Sequence, residues 1–460
     1  MYNSPYPKTK KVAMLNEKEL KRISEAVFAL ASAPEVEVIL SSSDSSLTRF
    51  ANNTIHQNVS SSDDQLTIRT VKAGQAGSAS LNRFDEPSLR SAVEAAEAVM
   101  EHTRHDPDTV PMQGQTDCHM SNRTYFDATA DFSAMDRAKK VNSAFAKCEK
   151  AGCEAAGILS SGSSRIGIAN NKGLLQFHES TSSKFSITVE ADDVSGWAEI
   201  TGRNVDELNF DEATEHAIQV LKDSQGPQEL DPGKYDVVLP HDAFANFVLF
   251  LSFMGFNPRS YHEGTSPLSG KLGKQVFGKN VTLTDDYDHP LSLGMPFDFE
   301  GTPRKRVELI KQGVFENIVY DRKHAAKYGE KPTGHGLKQP NSYGAFPGNI
   351  IMEPGDSSIA DMIAATDYGV LVTNLHYVNV LKPSDLTLTG MTRDGVFLIE
   401  NGKIVAPVRN MRFTDSVLRV MNNITHISSD VKPASAFFGG SFVLPAVRAA
   451  ELAFTSGTEF

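Results

Sequence analysis

The sequence predicts an α+β protein: two successive copies of a helix and antiparallel-sheet unit, followed by a β-rich C-terminal domain. Three observations lead there. Helix and strand landmarks near the N-terminus recur in the same order further along, the texture of the chain changes at Tyr235, and the remainder is rich in glycine and proline with short strands. The units fall at residues 1–120, 121–230 and 231–460. A chain of 460 residues also exceeds one ordinary core, since domains cluster at roughly 100–200 residues.

In the first unit Asn16 is a good N-cap with Glu19 three residues on, and Leu20, Ile23, Val27 and Leu30 follow at helical spacing. Pro34 ends that helix. Strand-like segments follow at 36–40, 47–55, 66–71 and 78–81, separated by Ser/Asp/Gly turns. A second helix opens at Pro87 and repeats Leu89, Val93, Ala96 and Met100 on one face.

The same order then returns. A helix from about Ser133 carries Met135, Ala138, Val141, Phe145 and Cys148 on one stripe and ends at Gly152. Ile158-Leu159-Ser160-Ser161 echoes Ile39-Leu40-Ser41-Ser42, and Ala169-Asn170-Asn171 echoes Ala51-Asn52-Asn53, at separations of 119 and 118 residues. Gly196-Trp197-Ala198 falls where Gly77-Ser78-Ala79 stood, and Phe210-Asp211-Glu212 opens a helix as Phe84-Asp85-Glu86 did.

From Tyr235 a short apolar strand leads to Pro240, and His241 starts a helix that is apolar nearly all round, the pattern of a fully buried helix. Segments 397–400 and 403–405 flank Asn401-Gly402, a hairpin signature, and 309–310 with 314–315 around Lys311-Gln312-Gly313 predict a second one.

Composition excludes several functions. Forty per cent hydrophobic and 22% charged residues describe a globular, water-soluble chain. A net charge of −12 repels phosphate backbones, so no direct nucleic-acid partner is expected, and the basic run Lys8, Lys10, Lys11 reads as a solvated tail. Three cysteines (Cys118, Cys148, Cys153) fit a reducing compartment, with the cytoplasm as the default. Residues 1–15 lack the apolar centre of a secretory signal, and the most hydrophobic stretch, 244–256, is too short for a bilayer, which takes about 20 residues. No membrane partner is expected.

A helix entered from a strand and opening with His-Glu can hold a zinc ligand beside its general base. Here the residues are His241-Asp242-Ala243-Phe244-Ala245-Asn246. The second histidine is missing, and aspartate is one methylene shorter than glutamate. A lone His-Asp pair supplies too few ligands, so His241 reads as a buried or capping histidine and Asp242 as a partner of the helix dipole. Tyr261-His262-Glu263 sits in a loop and reads as surface or packing. Asp285, Asp286, Asp288 and His289 lack the alternation of a calcium loop and read as a solvated turn. Asp298 and Glu300 fall on one face if their segment is a strand, where they would form an acid/base pair; a structural turn is the plainer reading. No Gly-x-Ser-x-Gly elbow or phosphate cradle is present. Cys148 and Cys153 read as inert buried thiols, and Cys118-His119 as a pair in a polar connection.

These landmarks together resemble the TldD/PmbA family, also labelled modulators of DNA gyrase. The matching pieces are Arg49-Phe50-Ala51-Asn52-Asn53, Leu239-Pro240-His241, Leu268-Ser269-Gly270-Lys271-Leu272-Gly273, Asp298-Phe299-Glu300-Gly301-Thr302-Pro303, and Glu400-Asn401-Gly402-Lys403-Ile404 with Pro407-Val408. The resemblance implies an N-terminal α+β part and a larger β-rich C-terminal domain forming a curved half-shell. It further implies a two-subunit metalloprotease acting on unfolded or small peptides, with zinc in only one subunit. The zinc-bearing type carries His-Glu-x-x-x-His plus a C-terminal cysteine. In this sequence His241 matches, Asp242 replaces the glutamate, Asn246 replaces the second histidine, and no cysteine follows Cys153.

The resemblance therefore implies the non-catalytic PmbA/TldE type of subunit: no metal or cofactor of its own, zinc in a TldD-like partner, or alternatively a homodimer. Two other readings stand beside it. One is a stand-alone metal-dependent peptidase whose site assembles His241 with His262, His335 or His376. The other is a non-enzymatic peptide-binding scaffold.

Overall fold

The computed structural model describes residues 15–435 and 441–458. The basic run Lys8, Lys10, Lys11 lies outside the described residues.

The first unit comprises α1 (Glu17–Leu30), β1 (Glu35–Ala51), β2 (Thr54–Lys72), β3 (Gln75–Leu81) and α2 (Glu86–His102). The side chain of Asn16 accepts from the Glu19 amide and caps α1, while Asp85 caps α2, which begins at Glu86, one residue ahead of the expected start. After a single turn, α3 (Asp127–Ala130), the second unit repeats the plan: α4 (Ala134–Ala151), β4 (Glu154–Asn170), β5 (Leu175–Ala191), β6 (Val194–Gly202) and α5 (Phe210–Asp223). Ser133 caps α4, and Gly152 ends it in the left-handed conformation at φ 74°. The expected stripe fails at one place: Met135 is 66% exposed, and Arg137 is the residue buried on that turn.

The six strands form one antiparallel sheet in the order β3-β2-β1-β4-β5-β6, so the units meet back to back along β1 and β4. The serine-rich stretch expected to be a turn continues as strand. Ser41 to Ser46 pair along β2 from Gln65 to Ser60, and Ser46 and Ser60 share a hydroxyl contact of 2.9 Å. The reversal falls instead at Asn52-Asn53, both at positive φ, as a tight hairpin requires.

Two glycines fix how helices lie on this sheet. A Cβ at Gly77 would stand 2.1 Å from the Ala96 carbonyl oxygen of α2, and a Cβ at Gly196 would stand 2.1 Å from the Ala217 carbonyl oxygen of α5. Each unit thus seats its second helix on a strand glycine, and each has its own apolar core.

The C-terminal part opens with β7 (Gly233–Leu239), α6 (His241–Gly255) and α7 (Pro258–His262), continues through β8 (Leu283–Asp285), β9 (Val307–Lys311), β10 (Val314–Phe315), α8 (Arg322–Tyr328), β11 (Ile350–Met352) and α9 (Ile359–Ala364), then β12 (Tyr368–Lys382), β13 (Thr387–Glu400), β14 (Lys403–Pro407), β15 (Met411–Ser416), α10 (Val417–Asn422), β16 (Ile424–Ser435) and β17 (Ser441–Gly457). Both expected hairpins are present, with Asn401-Gly402 and Gln312-Gly313 at positive φ.

Among the described residues, all eleven of these strands belong to one sheet. Because β7 pairs with β12 on one side and β17 on the other, the path β17-β15-β13-β12-β7 closes on itself as a ring. Helix α6 packs against β7, β12, β16 and β17 and is buried along nearly its whole length. Asp242 and Asn246 are half-buried, and the C-terminal end reaches the surface, where Phe253 stacks on Tyr343 with ring centroids 4.9 Å apart.

The two halves touch where Ile39, Ile168 and Leu174 pack around Phe297. The segment between α2 and α3 straps the N-terminal half to the C-terminal one. Asp106 pairs with Lys323, Asp108 pairs with Lys327 at 2.6 Å, and Asp288 accepts from the Ser121 and Asn122 amides. No described helix is long and apolar enough to cross a membrane.

Candidate functional site

Strand β7 delivers the chain to the buried N-terminus of α6. Pro240 serves as N-cap with no side-chain bond to the first turn, so His241 and Asp242 stand on an otherwise uncapped helix end. A carboxylate there gains from the helix dipole. Burial overrides that gain: the Asp242 carboxyl is pushed up to about 7, first by desolvation and then by the Glu199 carboxylate, against the pull of Lys432 and Lys184.

The neighbours come from both halves. Glu199 on β6 pairs with Lys184 on β5 at 2.7 Å. Lys432 on β16 acts on both His241 and His216 of α5. His241 is 4% exposed, and its Nε2 lies 3.3 Å from Asp430 Oδ2 without hydrogen-bond alignment. Burial and Lys432 hold its pKa below the ordinary histidine value although Asp430 acts in the other direction. A largely neutral imidazole, a carboxyl about half protonated near neutral pH, and a Glu–Lys pair therefore meet where the second unit faces α6. Sequence spacing held no signal for Lys184, Glu199, His216, Asp430 or Lys432, which reach this point from four separate elements.

Asn246, one turn further along α6, donates its side-chain amide to the carbonyls of Asp242 (3.2 Å) and Ala243 (3.4 Å). It is folded back on its own helix. Among the described residues no three His, Cys, Asp or Glu side chains gather in a metal-binding arrangement. The donors at 241, 242 and 246 do not fit a zinc ion.

The distant histidines do not converge on His241. His262 contacts Tyr320 Oη at 2.9 Å and stacks on Tyr328 at 3.7 Å. His335 is fully buried, with Nε2 3.0 Å from Asp285 Oδ1 and Nδ1 2.9 Å from Thr333 Oγ1. His376 packs on Tyr377 with the rings tilted at 59°.

The expected solvated turn at 285–289 is corrected in part. Asp285 is on β8 with no exposure: the Asn349 amide donates to its Oδ2, while His335 Nε2 stands 3.0 Å from its Oδ1 without hydrogen-bond alignment. Asp286 pairs with Arg306 at 3.3 Å, and His289 accepts from the Leu291 amide. Residues 297–303 form a turn and not a strand, so no acid/base face arises. Asp298 accepts from the Glu300, Thr302 and Gly336 amides, and Glu300 accepts from the Arg322 amide. Burial and the adjacent Asp298 push Glu300 up to about 8. The thiols are poor nucleophiles: desolvation pushes Cys148 up to about 12 and raises Cys153 and Cys118.

The profile of the PmbA/TldA metallopeptidase C-terminal domain matches residues 232–456, and that of PmbA/TldA metallopeptidase domain 1 matches residues 36–99. The chain belongs to the PmbA/TldD family. It is 27% identical over 416 residues to the metalloprotease PmbA of Escherichia coli O157:H7, covering 85% of this chain and 86% of that one. A metalloprotease TldD homolog of Buchnera aphidicola is 28% identical over 239 residues, 49% of this chain and 47% of the relative. The match thus spans about half the length of such TldD relatives. The PmbA/TldD fold is matched over 95% of the chain by the crystal structure of TldE from Thermococcus kodakarensis, with a TM-score of 0.84, 19% identity and 99% of that chain covered. A putative modulator of a DNA gyrase from Thermotoga maritima matches with the same score, 22% identity, and 95% and 100% coverage.

Proposed function

We propose that this metalloprotease-family chain is the non-catalytic subunit of a TldD/PmbA-type complex that processes or degrades unfolded or small peptides in the cytoplasm. The observation that carries the reading is Asn246, whose amide is spent on the carbonyls of its own helix where a zinc-bearing relative would present its second histidine. Zinc and the hydrolytic step then belong to a TldD-like partner. This chain supplies the surface around Asp242, Glu199 and Lys184, a hydrogen-bonding and charged patch suited to polar peptide backbone. The three free cysteines support a reducing compartment.

The test is metal analysis of chain purified without chelator, combined with peptide cleavage assayed alone and with a co-expressed TldD-like chain. The expected result is far less than one zinc per chain and cleavage only with the partner. About one tightly held zinc per chain with activity alone favours the stand-alone peptidase and overturns the reading. Binding of peptide with no zinc-bearing chain recovered from native cells favours the scaffold.

A further inference from the structure

The two N-terminal units make the same helix-to-strand reversal in different ways. In the first, Glu97 of α2 clamps the turn between α1 and β1: its carboxylate accepts from the Ser32 amide at 2.6 Å, the Ala33 amide at 2.8 Å and Ser32 Oγ at 3.0 Å. Glu97 follows Ala96, whose carbonyl faces Gly77. In the second unit the carbonyl facing Gly196 belongs to Ala217, and the next residue is Ile218. An apolar side chain therefore stands where the carboxylate clamp stood.

The turn between α4 and β4 is closed by a backbone motif that brings two cysteines together. The amide of the left-handed Gly152 donates to the Glu149 carbonyl at 3.1 Å, and the Cys153 amide donates to the Cys148 carbonyl at 3.0 Å. These are the two bonds of a Schellman motif, in which the side chains at the positions of Cys148 and Cys153 meet. The Cys153 thiol also points back to the Cys148 carbonyl at 3.5 Å, and each sulfur acts directly on the other. The backbone bond between the same two residues holds their Cα atoms near the roughly 4.4–6.8 Å span of a disulfide. Both thiols share one apolar core with Ile218, Cys148 with no exposure and Cys153 with 5%. On its far side the Cys153 carbonyl accepts from Asn53 Nδ2 at 3.0 Å, which ties this turn to the hairpin of the first unit.

We propose that Cys148 and Cys153 are an oxidisable pair that a small hydroperoxide closes to a disulfide, giving the second turn the covalent counterpart of the clamp that Glu97 gives the first. Cys153 reacts first. It alone of the two has any exposure, and although burial raises its pKa, the Cys148 side chain and Lys222 pull it the other way. With hydrogen peroxide, the Cys153 sulfur takes one oxygen, the O–O bond breaks, and the thiol proton leaves with the other oxygen as water, so that a sulfenic acid remains. The Cys148 sulfur then displaces that hydroxyl: the S–S bond forms, and the hydroxyl departs with the Cys148 proton as a second water. Two electrons pass from the pair of sulfurs to the peroxide. Burial of both thiols keeps bulkier oxidants out. The inference rests on the second unit alone and is independent of the function proposed above.

The test treats the folded full chain with hydrogen peroxide, then blocks free thiols, unfolds the protein and digests it with trypsin. Lys147 and Lys150 put the two cysteines in separate fragments, residues 148–150 and 151–165. These fragments should stay joined until a thiol reductant is added, two of the three free thiols should be lost together, and the oxidised chain should melt higher by about 5 °C. The linkage should form in Cys118→Ser and in neither Cys148→Ser nor Cys153→Ser; if the last two misfold, the fragments of the parent chain decide alone. Separate fragments overturn the proposal, whether the thiols stay intact or Cys153 is driven to a sulfinic acid. So does a bond from either cysteine to Cys118, or a joined pair that leaves the melting temperature unchanged or lower.

Discussion

Gly77 and Gly196 do the same job in two copies of one unit: each lets a helix backbone sit against the strand at a distance that no side chain allows, 2.1 Å from where a Cβ would be. Alanine at either position must push its helix away from the sheet. Each single substitution should cost about 1–3 kcal/mol as overpacking. Because the two glycines serve separate cores, the double variant should lose close to the sum. Urea unfolding followed by circular dichroism checks this, and an unchanged midpoint for Gly77→Ala would remove the structural basis of the repeat.

What was legible in the sequence was what local chemistry determines. Asn16, Asp85 and Ser133 announce helix starts, Gly152 a helix end, and Asn401-Gly402 a hairpin, because each satisfies or relaxes backbone within a few residues of itself. The serine run 41–46 was not legible. Its residues favour turns locally, yet pairing with β2 and β4 on both sides holds them extended. The apolar alternation that normally marks a strand is absent there, since the two cores lie to either side of it. The candidate site divides the same way. His241, Asp242 and Asn246 are adjacent in sequence and could be weighed together, whereas Glu199, Lys184 and Lys432 join them only through packing of the second unit on α6.

Asp242 should make stability fall with rising pH. Its carboxyl titrates at about 7 in the fold, against about 3.9 in an unfolded chain. The unfolded state therefore releases its proton first, and the fold loses stability between those values, by up to about 4 kcal/mol once both are passed. Asp242→Asn should flatten this dependence: little change in melting temperature near pH 4, and a higher one than the parent at pH 8. Parallel melting curves across that range would contradict the account.

Asp285 and His335 form a buried pair at 3.0 Å with no exposure on either side. Burial pushes the Asp285 carboxyl upward, but His335, Arg304 and the Asn349 amide outweigh it and hold its pKa below the ordinary value. His335→Ala should cost about 3–5 kcal/mol, because it leaves a carboxylate buried without its partner. Replacing both residues should cost less than the two single losses combined. Denaturant titrations of the four proteins in the cycle give the coupling directly, and simple additivity would mean that the contact is incidental.

Asn246 offers a sharper test of whether α6 can carry metal chemistry. Asn246→His together with Asp242→Glu restores the side-chain types of a zinc helix. The substitution at 246 releases only a side chain that rests on helix carbonyls, so the fold should change by less than about 1 kcal/mol. Two histidines still fall short of the three protein ligands that a catalytic zinc requires, and no cysteine follows Cys153 in the chain. After dialysis the double variant should hold well under one zinc per chain by elemental analysis and should cleave no peptide alone. Stoichiometric zinc that resists dialysis would mean that Glu199, Asp430 or His216 can complete a coordination shell. In that case the distance between this chain and a hydrolase would be two side chains rather than the architecture around α6.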